Sequence, residues 1–153
     1  MSDRLTQLEL GSVLHDIGKI VYRQGDDNRQ HSISGYEYLK NTVGIKDESV
    51  LECVRYHHYS EIADAKLQND SLAYITYIAD NIASATDRRI ASDKNPGFDI
   101  YEPMQPVFNL LNGNRNTKYY TPFFLNETEG MNVPTSEKHP FSKGDYTKIL
   151  TDL

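Results

Sequence analysis

The sequence predicts a mainly α-helical protein: a helical bundle over residues 1–90, then a loop-rich part with a small β-hairpin. Three observations carry that expectation. Apolar residues recur at helical spacing before residue 90, as in Leu10, Val13, Leu14, Ile17, Ile20 and Val21. Cap-type residues, among them Gly25, Gly44 and Asp47, stand at the ends of such stretches. All six prolines and all five phenylalanines lie from residue 96 onward, where no long helical stripe survives.

In chain order, Met1 to Gln24 predicts a first helix, ended by Gly25 and the polar run Asp26 to Gln30. His31-Ser32 opens a second, with Ile33, Tyr36 and Leu39 three apart and Gly44 closing it. Asp47 caps a third, in which Val50, Leu51 and Val54 lead to the pair His57-His58. Glu61 to Leu67 is a short continuation. Asp70 or Ser71 starts a fourth helix, with Leu72, Ile75, Ile78, Ala79 and Ile82 on one face and Asp80 on its flank.

Further on, Asn112-Gly113-Asn114 forms a turn before Tyr119 to Leu125, Y-Y-T-P-F-F-L. That run has β-type composition, and Pro122 demotes it to an edge or irregular strand. Gly144 and Asp145 begin a last helix, Tyr146 to Leu153, which stops in mid-pattern as a segment of a longer polypeptide does. The expected organisation is a metal-binding helical domain at 1–90 and a loop-rich extension packed on it at 91–145. Residues 146–153 then start a helix leading to a following domain.

Composition narrows the classes. With 153 residues, 38% hydrophobic and 25% charged, the chain has enough apolar content for a real core. No run approaches the roughly 18 apolar residues of a membrane span, and no signal peptide is evident, so a cytoplasmic, membrane-free protein is expected. The single cysteine, Cys53, excludes an internal disulfide and reads as a small buried helix residue. A net charge of -6 argues against a broad basic nucleic-acid face. A polyanionic substrate must be held locally, by metals and a few cations.

Four of the five histidines, His15, His31, His57 and His58, fall between residues 15 and 58, and Asp16 and Asp80 join them. A lone histidine beside an apolar stripe is usually structural, and a flank aspartate is usually solvated. Six ligand-type side chains on neighbouring helices of one small bundle point instead to a shared metal site.

The motif H-D-I-G-K (His15 to Lys19), followed by H-H at 57–58 and A-D at 79–80, resembles the HD superfamily of metal-dependent phosphohydrolases. The order resembles the permuted one, since no histidine-bearing helix precedes the H-D pair. Ala73 to Arg89, A-Y-I-T-Y-I-A-D-N-I-A-S-A-T-D-R-R, and Phe141 to Tyr146, F-S-K-G-D-Y, resemble the N-terminal HD nuclease domain of the large subunit of type III-A (Csm) CRISPR effector complexes. The resemblance implies an all-α HD fold, a metal-dependent single-strand DNase and residence beside other subunits in a crRNA-guided ribonucleoprotein. The G-G-D-D cyclase motif of that family's palm domains is absent from the chain, so no cyclic-oligoadenylate synthesis is assigned to it.

Phosphodiester hydrolysis asks for the same residues: an activated water, a Lewis acid on the phosphoryl oxygen and charge relief for the leaving group. Asp16 can bridge two ions roughly 3.5–4 Å apart. His15, Asp16 and Asp80 are assigned to one, and Asp16, His31, His57 and His58 to the other. The imidazole-rich set favours one or two transition-metal ions, Mn first and Ni, Co or Fe as alternatives, over Mg. His15, Asp16 and Lys19 form the catalytic group, with Lys19 holding a phosphate. Arg88 and Arg89 are candidates to track a DNA backbone, although a plain surface pair is the simpler reading. Tyr74 and Tyr77 have the spacing of core packing, while Tyr56 or Tyr59 would stack a base if either faces the cleft. Members of the superfamily with the usual order have a further upstream histidine, so the ion on the Asp80 side is expected to be under-liganded and weakly bound. Two alternatives accompany this reading: a free-standing phosphohydrolase of nucleotides or cyclic dinucleotides, and a non-catalytic scaffold module.

Overall fold

A computed structural model describes residues 3–25, 27–87, 101–113, 115–121 and 132–152. Arg88 and Arg89, and Pro122 to Leu125 of the expected strand, lie outside them. The protein is mainly α-helical, in two units, Met1–Pro96 and Gly97–Leu153. Among the described residues no helix is long and apolar enough to cross a membrane.

In the first unit, Asp3 caps helix α1 (Arg4–Leu14) by accepting the Thr6 backbone N–H at 2.8 Å. Helix α2 (Ile17–Gln24) follows and ends at Gly25, whose φ of 97° closes it. Helix α3 (His31–Glu37) runs into a π-helical turn, Tyr38–Val43, ended by Gly44. Helix α4 (Glu48–Arg55) starts at Asp47, whose carboxylate accepts the Ser49 and Val50 N–H groups. Gln7 of α1 donates to the same carboxylate at 2.9 Å, tying α1 to the start of α4. A single turn, α5 (Tyr59–Ile62), precedes the long helix α6 (Ala73–Asp87).

The single first helix expected over Met1 to Gln24 is two helices, broken at His15-Asp16. The reason lies in two close approaches. Gly11 of α1 lies against α4, where an added Cβ would stand 2.7 Å from the Cys53 Cβ. Gly18 of α2 lies against α3 so tightly that an added Cβ would overlap the His31 carbonyl oxygen. The two halves dock on different helices, and the axis turns between them at Asp16, which has φ -97° and ψ 6°.

The expected faces are also corrected. Val13 is 80% exposed and Leu10 lies on the surface, whereas Gly11 and Ile17 are buried. On α6 the buried residues after Leu72 are Ala73 and Thr76, while Ile75, Ile78 and Ile82 are exposed. On α3 the buried positions are Ser32, Ser34 and Gly35. Small residues line these contacts, so the helices approach closely and bring Asp80, seven residues beyond Ala73 on the same face, toward the bundle. The continuation expected over Glu61 to Leu67 shrinks to the α5 turn, because only Ile62 finds a buried place there.

Ile17, Leu39, Leu51 and Val54 form the core cluster, joining α2, the π-helical turn and α4. Leu51 is fully buried. Leu51→Ala is expected to cost about 3 kcal/mol, the usual penalty for a cavity of that size. Urea denaturation measures this, and a loss below about 1 kcal/mol would show that the site collapses around the smaller side chain.

In the second unit, helix α7 (Phe108–Leu111) is one turn, and Asn109 within it is buried. The Asn109 side chain donates to the Lys118 carbonyl at 2.8 Å and accepts the Lys118 N–H at 2.9 Å. The expected hairpin is reduced, among the described residues, to one antiparallel bridge between Tyr119 and Thr135. Helix α8 (Lys143–Asp152) begins earlier than expected. Ser142 caps it reciprocally with Asp145: the Ser142 N–H donates to Asp145 at 2.7 Å, and the Asp145 N–H donates back to Oγ.

Candidate metal centre

Four elements and the two breaks between them deliver ligand-type side chains to one place. His15 closes α1, and its Nδ1 stands 2.7 Å from the Ser12 carbonyl oxygen. His57, just past α4, repeats the arrangement with the Val54 carbonyl at 2.7 Å. A carbonyl can only accept, so each Nδ1 carries a proton and each Nε2 is the nitrogen turned toward the centre. Asp16, at the bend between α1 and α2, sits between these rings.

The carboxylate of Asp16 divides the centre. Its Oδ1 is 3.2 Å from His31 Nε2 and 3.7 Å from His57 Nε2. Its Oδ2 is 3.5 Å from His15 Nε2, and His15 Nε2 is 3.7 Å from Asp80 Oδ1. On the Oδ1 side, His31 Nε2 is 3.1 Å from His57 Nε2 and 2.8 Å from His58 Nε2. Donor atoms of His31, His57 and His58 all lie within 4.8 Å of one another. Ring nitrogens this close repel unless a proton or a cation lies among them, and a divalent ion suits the donor set. The six residues expected as ligands, His15, Asp16, His31, His57, His58 and Asp80, therefore converge.

The electrostatics fit a cation as well. Burial opposes ionisation of Asp16, but hydrogen bonds from His31 and Lys19 and the charges of Lys19 and His15 outweigh it. The carboxyl is held well below the ordinary range. Burial, and next the charge of His58, push His57 down to about 3. Burial and then His31 also lower His58, with Glu61, Asp80 and Asp16 opposing. His57 and His58 are therefore neutral near pH 7, as ligands must be.

This has a consequence for the metal-free chain. In the unfolded chain His57 takes up a proton near pH 6.5, while in the fold it stays neutral to about pH 3. The unfolded state thus binds more protons across that window, and stability falls with acidification by about 1.4 kcal/mol per pH unit for one such group. His58 acts in the same direction, and Asp16 adds to the loss below about pH 4. Thermal melts of the metal-free chain should show Tm falling from pH 7 to pH 5. A flat or rising Tm would contradict a neutral buried His57.

Lys19, in the first turn of α2, lies at the rim with its Nζ 2.5 Å from Asp16 Oδ2. Tyr59, next to His58, is 73% exposed, whereas Tyr56 is half-buried under the Arg55 guanidinium. Tyr74 and Tyr77 are half-buried. The sequence reading missed Glu61, whose carboxylate accepts Ser32 Oγ at 3.4 Å beside His58. It also missed the Ser12 and Val54 carbonyls that orient His15 and His57. Their only signal is the shared spacing, three residues before a histidine at a helix end.

The HD-domain family matches residues 2–85, a span that contains all six converging residues. The chain belongs to the HD-domain family. As an HD domain it resembles proteins named CRISPR system single-strand-specific deoxyribonuclease Cas10/Csm1 (subtype III-A). It is 37% identical to the one from Enterococcus italicus over 96% of this chain, and 36% identical to the one from Streptococcus thermophilus over the whole of this chain. The relative from Mycobacterium tuberculosis is 31% identical, also across the whole chain. This HD domain chain spans about a fifth of the length of those relatives: 21% of the first two and 22% of the third.

Proposed function

We propose that the chain is the HD nuclease module of a type III-A CRISPR interference complex and cleaves single-stranded DNA. The observation that carries this is Asp16, whose two oxygens face two separate ligand sets. The relatives named single-strand-specific deoxyribonucleases support it from the side of sequence. In this reading residues 1–90 are the nuclease domain, and the residues from 91 onward are a separate loop-rich extension that ends in helix α8. The crRNA and the other subunits of the complex are its partners, in the cytoplasm.

His31, His57, His58 and Asp16 Oδ1 would hold one divalent ion, and His15, Asp80 and Asp16 Oδ2 a second. Manganese is the first choice for so imidazole-rich a set, with Ni, Co or Fe as alternatives. Such ions supply Lewis acidity to the phosphoryl oxygen and a water acidic enough to attack at neutral pH. The protein's part is orientation. The Ser12 and Val54 carbonyls fix the rings of His15 and His57, and buried His57 stays neutral. Lys19 reaches a substrate phosphate from the rim, and Tyr59 offers an exposed ring to an unstacked base.

Single-strand preference follows from charge as well. A chain of net charge -6 lacks the basic face demanded by a stiff duplex, which carries one charge per roughly 1.7 Å of axis. A flexible strand needs only a few phosphates held near the centre. With Mn present, cleavage of a labelled strand should be faster than cleavage of the same strand annealed to its complement. Equal rates, or faster cleavage of the duplex, would overturn this function and favour a broader phosphohydrolase.

A further inference from the structure

We propose that Lys19 is a displaceable counter-ion of Asp16 that makes ion entry sequential, holding Oδ2 until an ion arrives on the His15–Asp80 side and then turning to the substrate phosphate. The proposal rests on the two-ion reading of the centre and deepens it.

The two halves of the centre are not equivalent. The Oδ1 side offers three imidazole nitrogens and one carboxylate oxygen, and among the described residues no ammonium group is bonded to that oxygen. The Oδ2 side offers His15, Asp80 and an oxygen already bonded to Lys19 Nζ at 2.5 Å. An ion on the Oδ1 side displaces no charged group. An ion on the Oδ2 side must share that oxygen with an ammonium, and two cations on one partly buried atom repel strongly.

Lys19 can give way. Its side chain is 45% exposed, on a flexible four-carbon stem. Its place in the first turn of α2 is also electrostatically poor for a cation, since the helix dipole there favours negative charge. Asp16 is what offsets that cost. Once an ion takes Oδ2, the ammonium loses its partner beside a cationic centre, and a phosphate brought by the substrate offers it a new anion. The under-liganded Asp80 side is thus weak for a second reason besides its short list of donors.

The test is a Mn(II) titration of the whole chain, with free Mn(II) read by electron paramagnetic resonance and no DNA present. The wild type should bind one ion tightly and a second at least about tenfold more weakly. Lys19→Met should tighten the second class by about tenfold and leave the first unchanged, whereas Lys19→Arg, which keeps the charge, should behave as wild type. In a His15→Gln background the weak class should vanish, and Lys19→Met should have no further effect. An unchanged second class in Lys19→Met, or weakened binding of both classes, overturns the proposal while leaving a two-ion centre in place. No ion bound by the folded wild type would overturn the centre itself, and the proposal with it.

Discussion

Replacing His15 and Asp16 together with alanine is expected to bring DNA cleavage to background while the helices persist. Asp16 faces both ligand sets, and His15 completes the Asp80 side, so the double variant removes the bridge and one half of the centre. Lewis-acid stabilisation by bound ions is worth several kcal/mol in the transition state, which sets the expected loss at about 10³-fold or more. The fold should tolerate the change. Both side chains are partly exposed, and the core cluster of Ile17, Leu39, Leu51 and Val54 includes neither. Some stability goes with them, because ion binding is linked to folding and Lys19 is left without its carboxylate partner. The measurement pairs initial rates on a labelled strand, with Mn supplied, with circular dichroism at matched concentration. Wild-type rates from a purified, helical double variant would place the chemistry elsewhere.

Gly18→Ala should have the largest effect on the fold, about 3 kcal/mol or more. The added Cβ would overlap the His31 carbonyl oxygen and stand 2.7 Å from the Gly35 nitrogen. Both obstacles are backbone, which cannot rotate aside as a side chain does. Helix α3 would have to move off α2, and His31 would leave its place 3.2 Å from Asp16 Oδ1. Loss of stability and weaker binding on the three-histidine side should therefore appear together. Gly144→Ala in α8 is the contrast. Its nearest neighbour would be Ser142 Oγ at 3.5 Å, an ordinary contact, so the change should stay within about 1 kcal/mol. Urea denaturation with a Mn(II) titration tests both variants. A stable Gly18→Ala protein with wild-type ion affinity would mean that the α2–α3 crossing can open without moving His31.

The helical class, the caps and the ligand types are legible along the chain, because these are local. Asp47 caps α4 with its own carboxylate, and Gly25 and Gly44 close their helices through φ values that other residues rarely adopt. The motif H-D-I-G-K with H-H and A-D named five of the six side chains that converge, and His31 at the start of its helix is the sixth. Which face each helix buries depends instead on how the helices dock on one another. Hydrophobic periodicity placed Val13, Ile75, Ile78 and Ile82 inward, yet they are exposed, while Gly11, Gly18, Gly35, Ser32, Ala73 and Thr76 line the contacts. Apolar area favours burying large side chains, but close approach of backbones requires small ones, and here close approach won. The break at His15-Asp16 has the same origin. Each half of that stretch reads as helix, and only docking on two different partners, α4 and α3, turns the axis and aims Asp16 between the two sets of histidines.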